Sequence, residues 1–243
     1  MGAEHTVKSY DEELKRLNSA IARMGGLAEQ QIASAIQAMT RRDSELAAEV
    51  VRGDEKVDQL EREIDDLAVR LLALRQPMAG DLRNIVSALR VAADLERIAD
   101  YAANVAKRSI ALNQVAPVRP VGAIPRMGRV VQEMIKDVLD AFVNRDVQKA
   151  IGVWNRDEEL DEMHSSLFRE LLTYMMEDPR NITPATHVLF IAKNIERMGD
   201  HATNIAETIH FLVVGTPLRA ARPKHDSSSF AVVQPSSDAR EAQ

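Results

Sequence analysis

Between the prolines, apolar residues recur at spacings of three and four, the signature of amphipathic helices. Val57, Leu60, Ile64, Leu67, Leu71 and Leu74 form one stripe, and Val91, Leu95, Ile98, Ala102, Val105 and Leu112 a second. Val188, Ile191, Ile195, Met198, Ala202, Ile205, Ile209 and Leu212 form an unbroken third. No stretch sustains period-two alternation, so no strand is predicted. The pattern predicts six helices, near residues 6–41, 44–75, 78–113, 126–144, 147–177 and 184–213. Asp43 and Asp146 read as N-caps. Gln76-Pro77 and Thr183-Pro184 place proline at a first helical position, where its missing N–H costs little. Gly25-Gly26 reads as an irregularity within the first helix. Connections this short turn neighbouring helices antiparallel.

The chain also repeats itself. Arg42-Asp43, Ala47, Val50, Asp54-Glu55 and Asp58 recur 103 residues later as Arg145-Asp146, Ala150, Val153, Asp157-Glu158 and Asp161. Glu96-Arg97, Asp100, Ala102, Asn104 and Ala106 recur 100 residues later as Glu196-Arg197, Asp200, Ala202, Asn204 and Ala206. The expected architecture is therefore all-α: two tandem antiparallel three-helix bundles related by an internal repeat. Residues 6–113 form the first, 114–125 a proline-rich linker, 126–213 the second, and 217–243 a disordered tail.

Composition narrows the function. Aromatic residues make up only 4% of the chain, so the core must be built from aliphatic side chains. The net charge of −6 and the absence of a basic stripe argue against nucleic acid. With no cysteine, thiol catalysis and Cys-ligated zinc are excluded, and a reducing cytoplasm suits the chain. No signal peptide is visible, and apolar runs such as Phe211–Val214 are too short to span a bilayer, so no direct membrane insertion is expected. The start of the chain formally matches an acylation pattern at Gly2, too degenerate to carry weight.

The candidate chemistry lies in rows of acids four residues apart, a spacing that stacks them on one helix face. The second half holds Glu133/Asp137, Asp157/Asp161 and Glu196/Asp200; the first holds Asp54/Asp58 and Glu96/Asp100. With 37 acids in 243 residues, roughly five or six such pairs arise by chance. Recurrence at matching places in the repeat is what carries meaning. Two readings stand. The rows are metal sites, for Mg²⁺, Mn²⁺, Ca²⁺, iron or Zn²⁺ as divalent or trivalent ions, or they are solvated faces neutralised by Arg97 and Arg197. His164 shares the Asp157/Asp161 face and could add a nitrogen ligand. There is no glycine-rich phosphate loop and no Ser/His/Asp signature. A carboxylate-bridged enzyme of the ferritin-like kind wants two Glu-x-x-His motifs, and this chain offers one, Glu207/His210, with Lys107/Ile110 at its repeat position. A purely structural scaffold leaves the repeated acids unexplained.

Five segments together resemble the PhoU family of phosphate-signalling regulators. They are Met24-Gly-Gly-Leu-Ala-Glu-Gln-Gln31, Arg75-Gln-Pro77 with Asp81-Leu-Arg83, Leu95-Glu-Arg-Ile-Ala-Asp100, Tyr174-Met-Met-Glu-Asp178 and Ile195-Glu-Arg-Met-Gly-Asp200. The resemblance implies a duplicated three-helix fold, commonly a homodimer, with metal clusters on E(D)-x-x-x-D pairs. It implies a cytoplasmic, non-enzymatic negative regulator of phosphate uptake and starvation signalling, brought to the inner face of the membrane by its partners. Those partners are the phosphate-responsive sensor histidine kinase and the ATPase subunit of the phosphate ABC transporter. Two departures stand out. Gln30 and Ser34 replace the acids at the positions of Glu133 and Asp137, which predicts a weaker first site. Ala99 stands where Gly199 keeps the family's glycine.

Overall fold

The computed structural model describes residues 2–117 and 122–218, with side chains from Tyr10 onward. It has six long helices: α1 (Gly2–Arg41), α2 (Ser44–Arg75), α3 (Ala79–Asn113), α4 (Ala123–Asn144), α5 (Val147–Glu177) and α6 (Ile182–Val214). A short 3-10 turn, Pro179–Asn181, joins the last two. Among the described residues there is no strand, so the all-α expectation is borne out.

The same junction is used twice. Arg42 and Arg145 both take left-handed backbone with φ of 55°. Asp43 then caps α2, accepting from the amides of Glu45 and Leu46, and Asp146 caps α5 by accepting from Lys149. Closure is of the Schellman type, with the amide of Asp43 bonded to the Ala38 carbonyl and that of Asp146 to Ala141. Arginine in this conformation costs roughly 1–2 kcal/mol. Arg42 offsets that cost, because its guanidinium donates to the carbonyls of Leu112, Asn113 and Val115 at the end of α3.

Three local expectations need correction. Pro77 lies outside α3, whose N-cap is Met78, because Gln76 turns left-handed (φ 46°) and ends α2. Pro184 sits in the third position of α6, not the first, since the 3-10 turn starts the winding early. Gly25-Gly26 is no irregularity: α1 runs through it as regular helix. Gly25 is instead a packing position, for a Cβ there would collide with Leu139 of α4.

α3 and α6 form the centre. They pack on each other, while α2 flanks α3, α5 flanks α6, and α1 and α4 pack together over the pair. Arg90 stacks on Phe211 and Arg108 on Phe190, so the central helices run antiparallel. Both central helices carry small buried residues, among them Ala92, Ala99, Ala102 and Ala106 on α3 and Ala192, Gly199, Ala202 and Ala206 on α6. One continuous hydrophobic cluster runs through both repeats. The tail assignment falls outside the described residues from 219 on, but Leu218 packs against the core.

Candidate metal centre

The second repeat buries three of its acids. Asp157, Asp161 and His164 lie on one stripe of α5 at 1%, 3% and 3% exposure, facing Glu196 of α6 at 4%. Burial of three ionisable residues along one stripe is costly unless each is satisfied. Gly199 makes this approach possible, since a Cβ there would collide with Leu160 and stand 3.3 Å from Asp157 Oδ1. At the matching first-repeat positions the pair Gly199/Leu160 becomes Ala99/Val57, one residue larger and the other smaller, and both are fully buried. The departure at Ala99 is thus compensated in volume.

Glu196 Oε1 accepts from Lys193 Nζ at 2.8 Å, whereas Oε2 is buried with no hydrogen-bond partner. Burial pushes the Glu196 carboxyl up to about 7, with Asp200 and Asp161 adding to the rise and Lys193 opposing it. A buried carboxylate oxygen with an empty coordination direction, close to two further acids, is the kind of group a cation satisfies.

Glu133 and Asp137 are engaged in ion pairs. Arg156 Nη1 lies 3.7 Å from Glu133 Oε2 and 3.3 Å from Asp137 Oδ2. Lys149 Nζ bridges Asp137 (3.3 Å) and Asp140 (2.9 Å). Their charge is answered within a network on α4 and α5, and Glu133 is largely exposed. The first repeat lacks this whole network: Gln30, Ser34, Gln37, Leu46 and Gly53 occupy the positions of Glu133, Asp137, Asp140, Lys149 and Arg156. Acids and bases are absent together, leaving a cleft of about 390 Å³ between α1 and α2.

In the first repeat Asp54, Asp58, Glu96 and Asp100 lie half-buried between α2 and α3. Burial raises the Asp54 carboxyl, helped by Asp100 and Asp58 and opposed by Lys107. Glu96 is pushed up to about 7 by burial and by Asp100, with Arg97 opposing and Glu61 and Asp58 adding. Arg97 reaches both acids, at 3.6 Å from Glu96 and 3.4 Å from Asp100. Glu61 is an acid outside the recurring rows, because its four-residue pair with Asp65 is matched by His164 and Phe168 in the second repeat. It follows Asp58 by three residues, the other spacing that shares a helix face, and burial with Asp65 and Asp58 raises its carboxyl too. Among the described residues, no three His, Asp or Glu side chains converge closely enough to hold an ion as they stand.

Two other polar groupings are distinct. His201 Nδ1 lies 2.7 Å from Asp94 Oδ1, which also accepts from Asn204, tying α6 to α3. The ferritin-like motif is divided: Glu207 accepts from Trp154 Nε1, and His210 Nδ1 lies 3.0 Å from the Thr216 carbonyl.

Fold and site define a class: a duplicated, pseudo-two-fold helical bundle with a carboxylate row between the second and third helices of each repeat. The PhoU domain family model matches twice, at residues 21–109 and 124–209. A phosphate-specific transport system accessory protein PhoU homolog from Caulobacter vibrioides is 56% identical, over 92% of this chain and 97% of its own. A homolog of the same description from Rhizobium meliloti is 48% identical, over 94% and 97%. The crystal structure of PhoU from Pseudomonas aeruginosa superposes with a TM-score of 0.83 at 42% identity, covering 85% of this chain and 100% of that one. A phosphate transport system regulatory protein PhoU from Streptococcus pneumoniae gives 0.80 at 30% identity, covering 87% and 100%. The chain belongs to the PhoU family.

Proposed function

We propose that this chain is a cytoplasmic accessory regulator of phosphate-specific transport and of the phosphate-starvation response, acting by protein contacts and without turnover. The observation that carries this reading is the near-complete alignment with relatives described as accessory proteins of that transport system. Its proposed partners are the transporter's ATPase subunit and the phosphate-responsive sensor kinase, which it restrains, and its working form is a homodimer. Among the described residues no helix is long and apolar enough to cross a membrane. Deleting the gene should derepress phosphate-starvation genes in phosphate-rich medium. Silence of those genes in the deletion strain would remove the regulatory reading.

Metal binding is part of the proposal. Asp157, Asp161, Glu196 and Asp200 would hold an ion in the second repeat, and Asp54, Asp58, Glu96 and Asp100 one in the first. The buried, unpartnered Glu196 Oε2 supports this over solvated faces. A bound cation would supply positive charge between paired helices, drawing the acids together and fixing α5 to α6 and α2 to α3. Elemental analysis of protein purified without chelator tests it, and a chain free of metal would return the rows to the electrostatic reading.

A further inference from the structure

The metal-binding reading treats the two sites as copies. They are not copies, and the difference falls at one repeat position. An offset of 103 residues carries Asp54 to Asp157, Asp58 to Asp161, and Glu61 to His164. In each repeat the three residues stand at i, i+4 and i+7, one continuous stripe of a single helix. We infer that the repeats take chemically different cations, with Glu61 completing an all-oxygen site in the first and His164 giving the second a nitrogen ligand. This rests on the metal-binding reading above.

Two independent observations point the same way. The first is ligand chemistry. Imidazole suits zinc, iron and nickel, whereas carboxylate-only sets suit magnesium, calcium and manganese. His164 is enclosed with Asp161 and Asp157 on the α5 face that meets Glu196, whose Oε2 has no partner. Glu61 is half-buried, and its charge is felt by Glu96 across the α2–α3 seam.

The second is access to water. Mg²⁺ sheds water reluctantly and keeps several waters when bound. The first site can leave them in place, for the Asp100 side chain is 38% exposed. The second site is more enclosed, since its α5 residues and Glu196 are each less than 5% exposed and, of its proposed ligands, only Asp200 is half-buried. Such a site suits an ion that accepts replacement of most of its water by protein ligands, which Zn²⁺ does readily in four-coordinate sites.

The test is a titration of the chelator-stripped full chain with Zn²⁺ and, separately, Mn²⁺, with calorimetry and elemental analysis for stoichiometry. Trp154 is the single tryptophan and lies three residues before Asp157, so its emission identifies the second site. In the wild type, Zn²⁺ should change that emission at lower concentration than Mn²⁺. His164→Glu should lower the second site's preference for Zn²⁺ over Mn²⁺ by at least about tenfold while Mn²⁺ still binds, the scale on which even outer ligand partners act. Glu61→His should raise the preference of the first site. An equal loss of both ions in His164→Glu would make His164 a packing residue and overturn the inference. So would an unchanged preference with both ions still bound. A wild type that binds neither ion would instead overturn the metal reading beneath it.

Discussion

Leu139 of α4 fills the space left by the missing side chain of Gly25 on α1. The relationship has a twin, for Ile36 of α1 fills the corresponding space at Gly128 of α4. Gly25 and Gly128 are 103 residues apart, as are Ile36 and Leu139. The internal repeat is therefore a spatial two-fold, with α1 crossing α4 in the same way when read from either half.

A methyl group at Gly25 should act as overpacking, destabilising by about 1–3 kcal/mol. In a chain of this size that lowers the melting temperature by roughly 2–4 °C per kcal/mol. Leu139→Ala alone should also destabilise, but the pair Gly25→Ala/Leu139→Ala should lose less than the two single losses added. A double-mutant cycle in urea measures the difference. Strict additivity would mean that the two residues do not share this space.

The continuous core predicts how the protein unfolds. α3 and α6 pack on each other and one hydrophobic cluster runs through both repeats, so neither repeat has a complete core alone. Calorimetry of the metal-free chain should show one transition with equal calorimetric and van't Hoff enthalpies. Fragments 1–117 and 122–243 made separately should be unfolded or self-associated. Two resolved transitions would show that the repeats are independent domains.

Stability should depend on pH through Glu96 and Glu196. Each carboxyl has an ordinary value of 4.5 and is raised to about 7 in the folded chain. Between these limits the folded state holds more protons than the unfolded one, so stability falls as pH rises. The contribution is full below pH 4.5 and is lost as pH passes 7. Glu196→Gln, which keeps shape and removes the charge, should flatten this slope and raise the neutral-pH melting temperature of the metal-free protein. A slope unchanged in both Glu96→Gln and Glu196→Gln would remove these groups as its source.

Periodicity carried most of the architecture, because helix faces and proline breaks are local properties. The Arg-Asp junctions were legible for the same reason: a cap needs only neighbouring residues. What the pattern did not disclose depends on contacts between helices. Gly25 read as a flaw in α1 because its reason, Leu139, lies on another helix. Four-residue spacing placed Glu133 and Asp137 on a shared face but could not show the charge opposite it. That charge is Arg156, whose repeat partner Gly53 would have signalled that the acids and the base vary together. Glu61 was hidden because its four-residue pair with Asp65 does not recur: His164 and Phe168 stand at the matching positions of the second repeat.

The proposed ligand set can be separated from its acidic surroundings. Glu133 and Asp137 are held by Arg156 and Lys149, so Glu133→Gln/Asp137→Asn should remove ion pairs without removing metal ligands. Exposed ion pairs of this kind contribute about 0–1 kcal/mol each, so the variant should melt close to the wild type and keep its full metal content. Asp161→Asn and Glu196→Gln act on buried groups in the opposite sense. Each should relieve repulsion in the metal-free chain, yet lose the second-repeat ion, because a neutral oxygen draws a cation less strongly than a carboxylate. The added stability that a cation gives, about 2.7 kcal/mol when its concentration is a hundred times Kd, should shrink in these two variants and persist in Glu133→Gln/Asp137→Asn. Elemental analysis and melting with and without Mn²⁺ on all three decide it. Loss of metal from Glu133→Gln/Asp137→Asn, with retention in Asp161→Asn and Glu196→Gln, would put the ion on the α4–α5 network instead.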